Sequence, residues 1–206
     1  MRRFALALSV TMALAVPAHS SSTKAKIDEL RHRFTLDHMP IPPEVLGDLG
    51  DSNIADSSSI RVTIDLIAAM GSNLYADEIK TTPNGWVSQK KIISSVPESL
   101  TEEVSYKFNG VAGNGLLVVT AVYSGGGSGS FFTLNLLDAA AGRGFDGDGK
   151  PYDRLNLTIV RSIPLGDRWD GEIKISGDTI SIVTARQDFN HGPRQPGAQV
   201  VKAVRP

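Results

Sequence analysis

The sequence predicts a mainly β protein: one antiparallel β sandwich or open barrel of about eight strands, behind a short helical or extended N-terminal segment. Three observations predict it. Apolar residues alternate with polar ones over short stretches, as Ile60, Val62, Ile64 and Leu66 do with Arg61, Thr63 and Asp65, which is the two-residue period of a half-buried strand. Turn-forming residues separate these stretches at fairly even spacing. Strands do not alternate with long amphipathic helices, which argues against a doubly wound α/β fold.

The elements follow in order. Residues 1–20, MRRFALALSVTMALAVPAHS, read as a secretory leader. Arg2 and Arg3 give the positive start, an apolar run follows, and Ala18 and Ser20 are small residues placed for a cut after Ser20. The apolar run is too short to span a bilayer. The two arginines lack the fuller context of a twin-arginine signal, so the general secretory route is expected. Residues 21–58 form the N-terminal extended or helical segment, and residues 59–206 the β domain.

Within the first segment, residues 21–26 are small and polar and are expected to be poorly ordered. Residues 27–34 make a short helix with Ile27, Leu30 and Phe34 on one side. After Pro40 and Pro42, Pro43 opens a second short helix that Gly50 ends. Residues 51–59, DSNIADSSS, are a loop by composition.

Strands are expected over 60–66, then, past Gly71 and Asn73, over 86–93, entered through the turn Pro83-Asn84-Gly85. A connector over 94–100 leads to the alternation of Val104, Tyr106 and Phe108, and 109–115 is a turn whose residues tolerate positive φ. Residues 116–123 are almost continuously apolar, so that strand is expected to be buried on both faces. Gly125 to Gly129 follow, then a strand over 131–137 and a long loop over 138–153. The remaining strands span 155–163, 169–175, 179–185 and 198–204. Ser176-Gly177-Asp178 joins two of them as a hairpin, and a proline-glycine loop over 188–197 precedes the last.

Composition bounds the function. Hydrophobic residues are 41% of the chain but aromatic ones only 6%, so the core must be largely Val, Ile and Leu. The formal charge of −1 becomes −3 once a leader carrying two arginines and no acid is removed. That leaves no broad basic surface, so nucleic acid is not expected as a partner. The absence of cysteine excludes disulfides, thiol nucleophiles, thiolate metal sites and a lipidated cysteine. The processed chain is expected in the periplasm or outside a bacterial cell, without a membrane anchor.

Each motif has a chemical and a structural reading. Gly125 to Gly129 resemble a phosphate cradle, but Ser130 and Phe131 stand where a P-loop needs Lys and Ser/Thr, and a strand follows where a dinucleotide fold needs a helix. A glycine bend between paired strands fits better. Ser128 fails as the nucleophile of an elbow, which requires a strand-to-helix turn. His32, His38 and His191 show neither triad context nor metal-ligand spacing. In FDGDGKPYD, Asp146, Asp148 and Asp153 offer carboxylates for calcium. However, Lys150 and Leu157 occupy positions five and twelve, where an oxygen ligand and a bidentate glutamate belong. In LGDRWDGE, Asp167, Asp170 and Glu172 supply carboxylates for acid-base work and Arg168 an anion clamp. The competing reading is a turn in which Asp167 caps backbone N–H groups and Arg168 pairs locally. Trp86 and Trp169 would make a sugar platform only if both were exposed. No residue is assigned as catalytic or metal-binding, and nothing in the sequence requires a cofactor.

The order of two of these elements resembles a domain of bacterial secreted proteins and lipoproteins whose function is undefined. The residues that carry it are YSGGGSGSF from Tyr123, then Leu165-Gly166-Asp167-Arg168, then the strands that begin at Gly171 and Asp178. It covers about residues 103–204. Members often hold a cysteine pair before the last strand, where this chain has Gly192-Pro193-Arg194-Gln195-Pro196. The resemblance implies an envelope protein and supplies no catalytic residue. The expected function is a non-catalytic exported binding module for a macromolecule or small ligand. The alternative is a hydrolase of cell-wall or extracellular material built on residues 167–172, with two carboxylates roughly 5–10 Å apart.

Overall fold

Leu116 to Thr120 are five consecutive buried residues, and their alternation explains the architecture. Leu117 and Val119 point into one apolar cluster, whereas Leu116 and Val118 point into another. A strand whose successive side chains both find a core must lie in a middle layer. The computed structural model of the protein describes residues 22–50, 62–71, 78–93, 100–184 and 197–205. The leader, the loop over 51–59, most of the connector after residue 93, His191 and Gly192 to Pro196 lie outside them.

The middle layer is a seven-stranded antiparallel sheet curled into a half-barrel. Its strands are β3 (Thr63–Asp65), β4 (Ile79–Thr81), β5 (Trp86–Ile93), β6 (Leu100–Val111), β7 (Leu117–Ser124), β8 (Phe131–Phe145) and β9 (Pro151–Asp167), in the spatial order β3-β9-β8-β7-β6-β5-β4. One face is covered by the helices α1 (Thr23–Arg33), α2 (Pro43–Gly50) and α3 (Leu66–Gly71), together with the hairpin β1 (Thr35–Leu36) and β2 (Met39–Pro40). The other face carries a small antiparallel sheet of β10 (Glu172–Ser176), β11 (Thr179–Thr184) and β12 (Gly197–Lys202).

The core on the helix side joins Leu30, Phe34, Ile41, Val45 and Leu66 to Leu117, Val119, Leu137, Leu155 and Leu157. Phe34 meets Tyr106 edge-on at 5.2 Å and stacks on Phe108 at 5.6 Å. The second core joins Leu116, Val118, Leu134, Leu136 and Ile163 to Ile180, Ile182 and Val201. Each fully buried aliphatic side chain contributes about 1.5–3 kcal/mol, so both layers are held by ordinary apolar burial.

The structure bears out the mainly β class, the two-sided burial of β7, α2 over Pro43–Gly50, and the hairpin at Gly177-Asp178, where Ser176 pairs with Thr179. It corrects four local expectations. Helix α1 begins at Thr23, inside a stretch expected to lack order, because the Ser22 hydroxyl caps it by accepting from the Ala25 N–H at 3.4 Å. The first sheet strand ends at Asp65 rather than Leu66. The Asp65 carboxylate accepts from the Ile67 N–H at 3.2 Å and starts α3.

The long loop expected over 138–153 is instead the distal half of a hairpin, with β8 reaching Phe145 and β9 starting at Pro151. Its Ala139-Ala140-Ala141-Gly142-Arg143-Gly144 segment has poor strand propensity. The partner strand supplies the bulk: a Cβ on Gly142 would lie 2.8 Å from Asn156 Nδ2, and one on Gly144 would lie 2.7 Å from Arg154 Cδ. Finally, Trp169 precedes its strand, because β10 starts only at Glu172.

Candidate functional site

The hairpin between β7 and β8 closes through the glycine loop. Tyr123 pairs with Phe131, and Gly126 takes φ +83°. Such a loop is expected to be loose, but the end of β9 fastens it. Phe131 pairs with Asp167, which brings the Leu165-Gly166-Asp167-Arg168 turn alongside. Asp167 Oδ1 accepts from the Ser130 N–H at 2.8 Å, and the Arg168 N–H donates to the Ser130 carbonyl at 2.8 Å. The Arg168 guanidinium donates to the Ser128 carbonyl through Nη2 at 2.6 Å and Nε at 3.2 Å. To do so Arg168 adopts φ +49°, a left-handed conformation that a non-glycine residue rarely takes.

The two motifs that the sequence set apart therefore form one substructure. Asp167 does cap a backbone N–H, that of Ser130 in the loop just before β8, and the Arg168 fork grips the Ser128 carbonyl while its Nε lies 3.9 Å from Asp167 Oδ2. Asp170 is exposed further along the turn, and Glu172, exposed at the start of β10, pairs with Lys174 at 3.0 Å.

Two aromatic side chains flank the fastened loop. Tyr123 and Phe131 are directly opposite each other and are 45% and 57% exposed, an uncommon fate for large apolar residues on adjacent strands. The glycines fit against them. A Cβ on Gly125 would lie 3.2 Å from the Tyr123 hydroxyl, and one on Gly129 would lie 3.1 Å from the Phe131 ring. Tyr123 also donates to Glu102 Oε1 at 3.1 Å.

On the other face of the sheet, Phe132 stands between Trp86 at 6.2 Å and Trp169 at 6.0 Å, in edge-on and tilted arrangements. Trp169 packs on the second core. The two tryptophans are thus half-buried around a phenylalanine and do not make the open platform considered from the sequence.

The acidic turn of the β8–β9 hairpin is likewise internally satisfied. Asp146 Oδ1 accepts from the N–H groups of Asp148 at 3.0 Å and Lys150 at 2.8 Å, and Gly149 takes φ +77°. Asp148 and Asp153 point to solvent. Among the described residues no group of three or more His, Asp or Glu side chains is arranged to hold a metal ion. His32 Nδ1 lies 2.7 Å from the Asp28 carbonyl, and His38 is exposed beside Glu29.

Glu29 has a structural task. It is partly covered, and burial pushes its carboxyl up, but donation from Thr35 Oγ1 and from the His38 and Asp37 N–H groups outweighs this and holds it below the usual value. Those bonds steady a two-residue turn in which Asp37 and His38 both have positive φ.

The polar cluster that sequence reasoning missed is centred on Asp65, only 8% exposed. Besides capping α3, its carboxylate accepts from Tyr152 Oη at 3.0 Å, Arg154 Nε at 3.1 Å and the Leu155 N–H at 3.3 Å. The hydrogen bond to Asp65 raises the Tyr152 phenol above its ordinary range. An acid directly before Leu66-Ile67-Ala68-Ala69-Met70 is an N-cap signal that the sequence did carry. Every donor on Asp65 but one comes from β9, far along the chain. Four donors on one carboxylate make it an anchor between α3 and β9.

Among the described residues no helix is long and apolar enough to cross a membrane. Comparison of the chain with protein-family models, with curated proteins and with solved structures found no match.

Proposed function

We propose that the chain is an exported, non-catalytic envelope protein, a binding module that meets its ligand at the glycine-loop end of β7 and β8. One observation carries the reading: the exposed Tyr123–Phe131 pair stands beside a loop already fastened by Asp167 and Arg168. A loop ordered in advance loses less conformational entropy on binding, and paired aromatic rings offer a large contact area at little entropic cost. The leader sequence and the resemblance to secreted bacterial domains support the envelope as its place. The hydrolase alternative is weakened because Asp167 and Arg168 are engaged with backbone groups, which leaves Asp170 exposed on the turn and Glu172 exposed at the start of β10, paired with Lys174.

The test is an amide-shift titration with soluble cell-wall fragments and with other envelope polymers, run alongside a turnover assay on the same material. Binding should move the amides of residues 124–131 and be lost in a Tyr123→Ser, Phe131→Ser double variant. Shifts confined to other surfaces would overturn the assignment of the contact end. Turnover abolished by Asp170→Asn or Glu172→Gln would replace a binding module with a hydrolase.

A further inference from the structure

At the opposite end of β7, two arginines from distant parts of the chain converge on one glycine. Arg31 lies in the last turn of α1, and Arg205 follows Ala203 just after β12. The chain around Arg205 is fixed by two backbone anchors. The Ala203 N–H donates to the Asp178 carbonyl at 2.8 Å, and Asn114 Nδ2 donates to the Ala203 carbonyl at 3.0 Å. Between the arginines, the turn from Ala112 to Gly115 closes with Gly115 at φ +86°. A Cβ built there would lie 3.1 Å from Arg205 Nη2 and 3.4 Å from Arg31 Nη2, so the two nitrogens are no more than 6.5 Å apart.

Bringing two permanently charged guanidinium groups this close is unfavourable unless something of opposite charge joins them. The carboxylates present do this incompletely. Asp138 Oδ1 is 3.2 Å from Arg205 Nη2 but outside hydrogen-bond geometry, and Asp28 Oδ1 is 3.9 Å from Arg31 Nη1. Arg31 Nε is buried and has no hydrogen-bond partner, although a buried donor of this kind is nearly always satisfied.

We infer that Arg31 and Arg205 form an oxyanion-binding site over Gly115, taking a phosphate or carboxylate group that bridges the two guanidinium forks. The anion accepts from Nη2 of both arginines, using donor capacity that the long Asp28 contact and the poorly aligned Asp138 contact leave unmet. Gly115 is required because any side chain there would fill the space between the forks. The site is separate from the glycine-loop end and stands whether or not that end binds a ligand.

Inorganic phosphate is the probe, with the full processed chain and chloride at matched ionic strength as the control. A site of millimolar affinity at 20 mM phosphate shifts the folding equilibrium by about twenty-fold, which raises Tm by several degrees. The Arg31 Nε–Hε resonance should move in the same titration. Arg31→Gln and Arg205→Gln should each remove most of the increment, and Arg31→Lys should retain part of it because the charge remains. Should either Gln variant fail to fold, the resonance titration of the wild type still decides the question. An equal Tm in phosphate and chloride, an increment that survives in both Gln variants, or an unmoved Arg31 Nε–Hε signal would overturn the site.

Discussion

Replacing Asp65 by alanine should be among the most damaging single changes in this protein. The carboxylate is 8% exposed and receives four donors: the Ile67 and Leu155 N–H groups, Tyr152 Oη and Arg154 Nε. Loss of the α3 cap costs about 1 kcal/mol. The Leu155 N–H, left in a buried strand without that acceptor, costs about 1–3 kcal/mol. Tyr152 and Arg154 reach water, so together they add only about 1 kcal/mol. The gross loss is about 3–5 kcal/mol, and removing the desolvation cost of the carboxylate itself returns part of it, leaving about 2–4 kcal/mol. Asp65→Asn keeps an oxygen for the two backbone donors and loses the ion pair, so about 1–2 kcal/mol is expected. Urea denaturation followed by far-ultraviolet circular dichroism measures both. The reasoning fails if the alanine variant loses less than about 1 kcal/mol, or if asparagine is as damaging as alanine.

Three further outcomes are expected. Gly171→Ala drives a Cβ into the Val183 carbonyl and to 2.6 Å from the Trp169 ring, so thermal melting should show a loss of about 1–3 kcal/mol. An unchanged Tm would mean that the Trp169 contact is not tight. Asp167→Ala frees the Ser130 N–H at an exposed site, so stability should fall by no more than about 1 kcal/mol while exchange of the Ser130 amide accelerates. Unaltered exchange would show that Arg168 alone holds the loop. Glu29 has a folded-state pKa lowered from 4.5. Its contribution is therefore complete above about pH 4.5 and lost as the pH falls through the folded value. Acid unfolding of Glu29→Gln should be correspondingly flatter, and identical acid limbs in the two proteins would exclude that role.

Local signals made much of this fold legible. The unbroken apolar run of β7 announced two-sided burial because successive strand side chains face opposite ways, and Gly177-Asp178 announced its hairpin through turn chemistry. The distal half of the β8–β9 hairpin was hidden because its alanines and glycines carry no strand signal of their own. The pairing is stabilised by Tyr152, Arg154 and Asn156 on the other strand. The candidate sites follow the same division. The Asp146 turn could be read within five residues, whereas the grip of Asp167 and Arg168 on Ser128 and Ser130 spans about forty positions. The partners of Asp65 on β9 are more remote still. Residue types marked these groups as polar, but only the register of the sheet shows what they hold.

The position of β7 also governs how the molecule comes apart. Leu117 and Val119 belong to the helix-side core, and Leu116 and Val118 to the core beneath the small sheet. Neither covering layer can separate without exposing one side of this strand. The helices and the small sheet are therefore thermodynamically linked through this strand, as two tenants of one wall. Amides of β7 should open only in global unfolding, and they set the upper bound of protection in native-state hydrogen exchange.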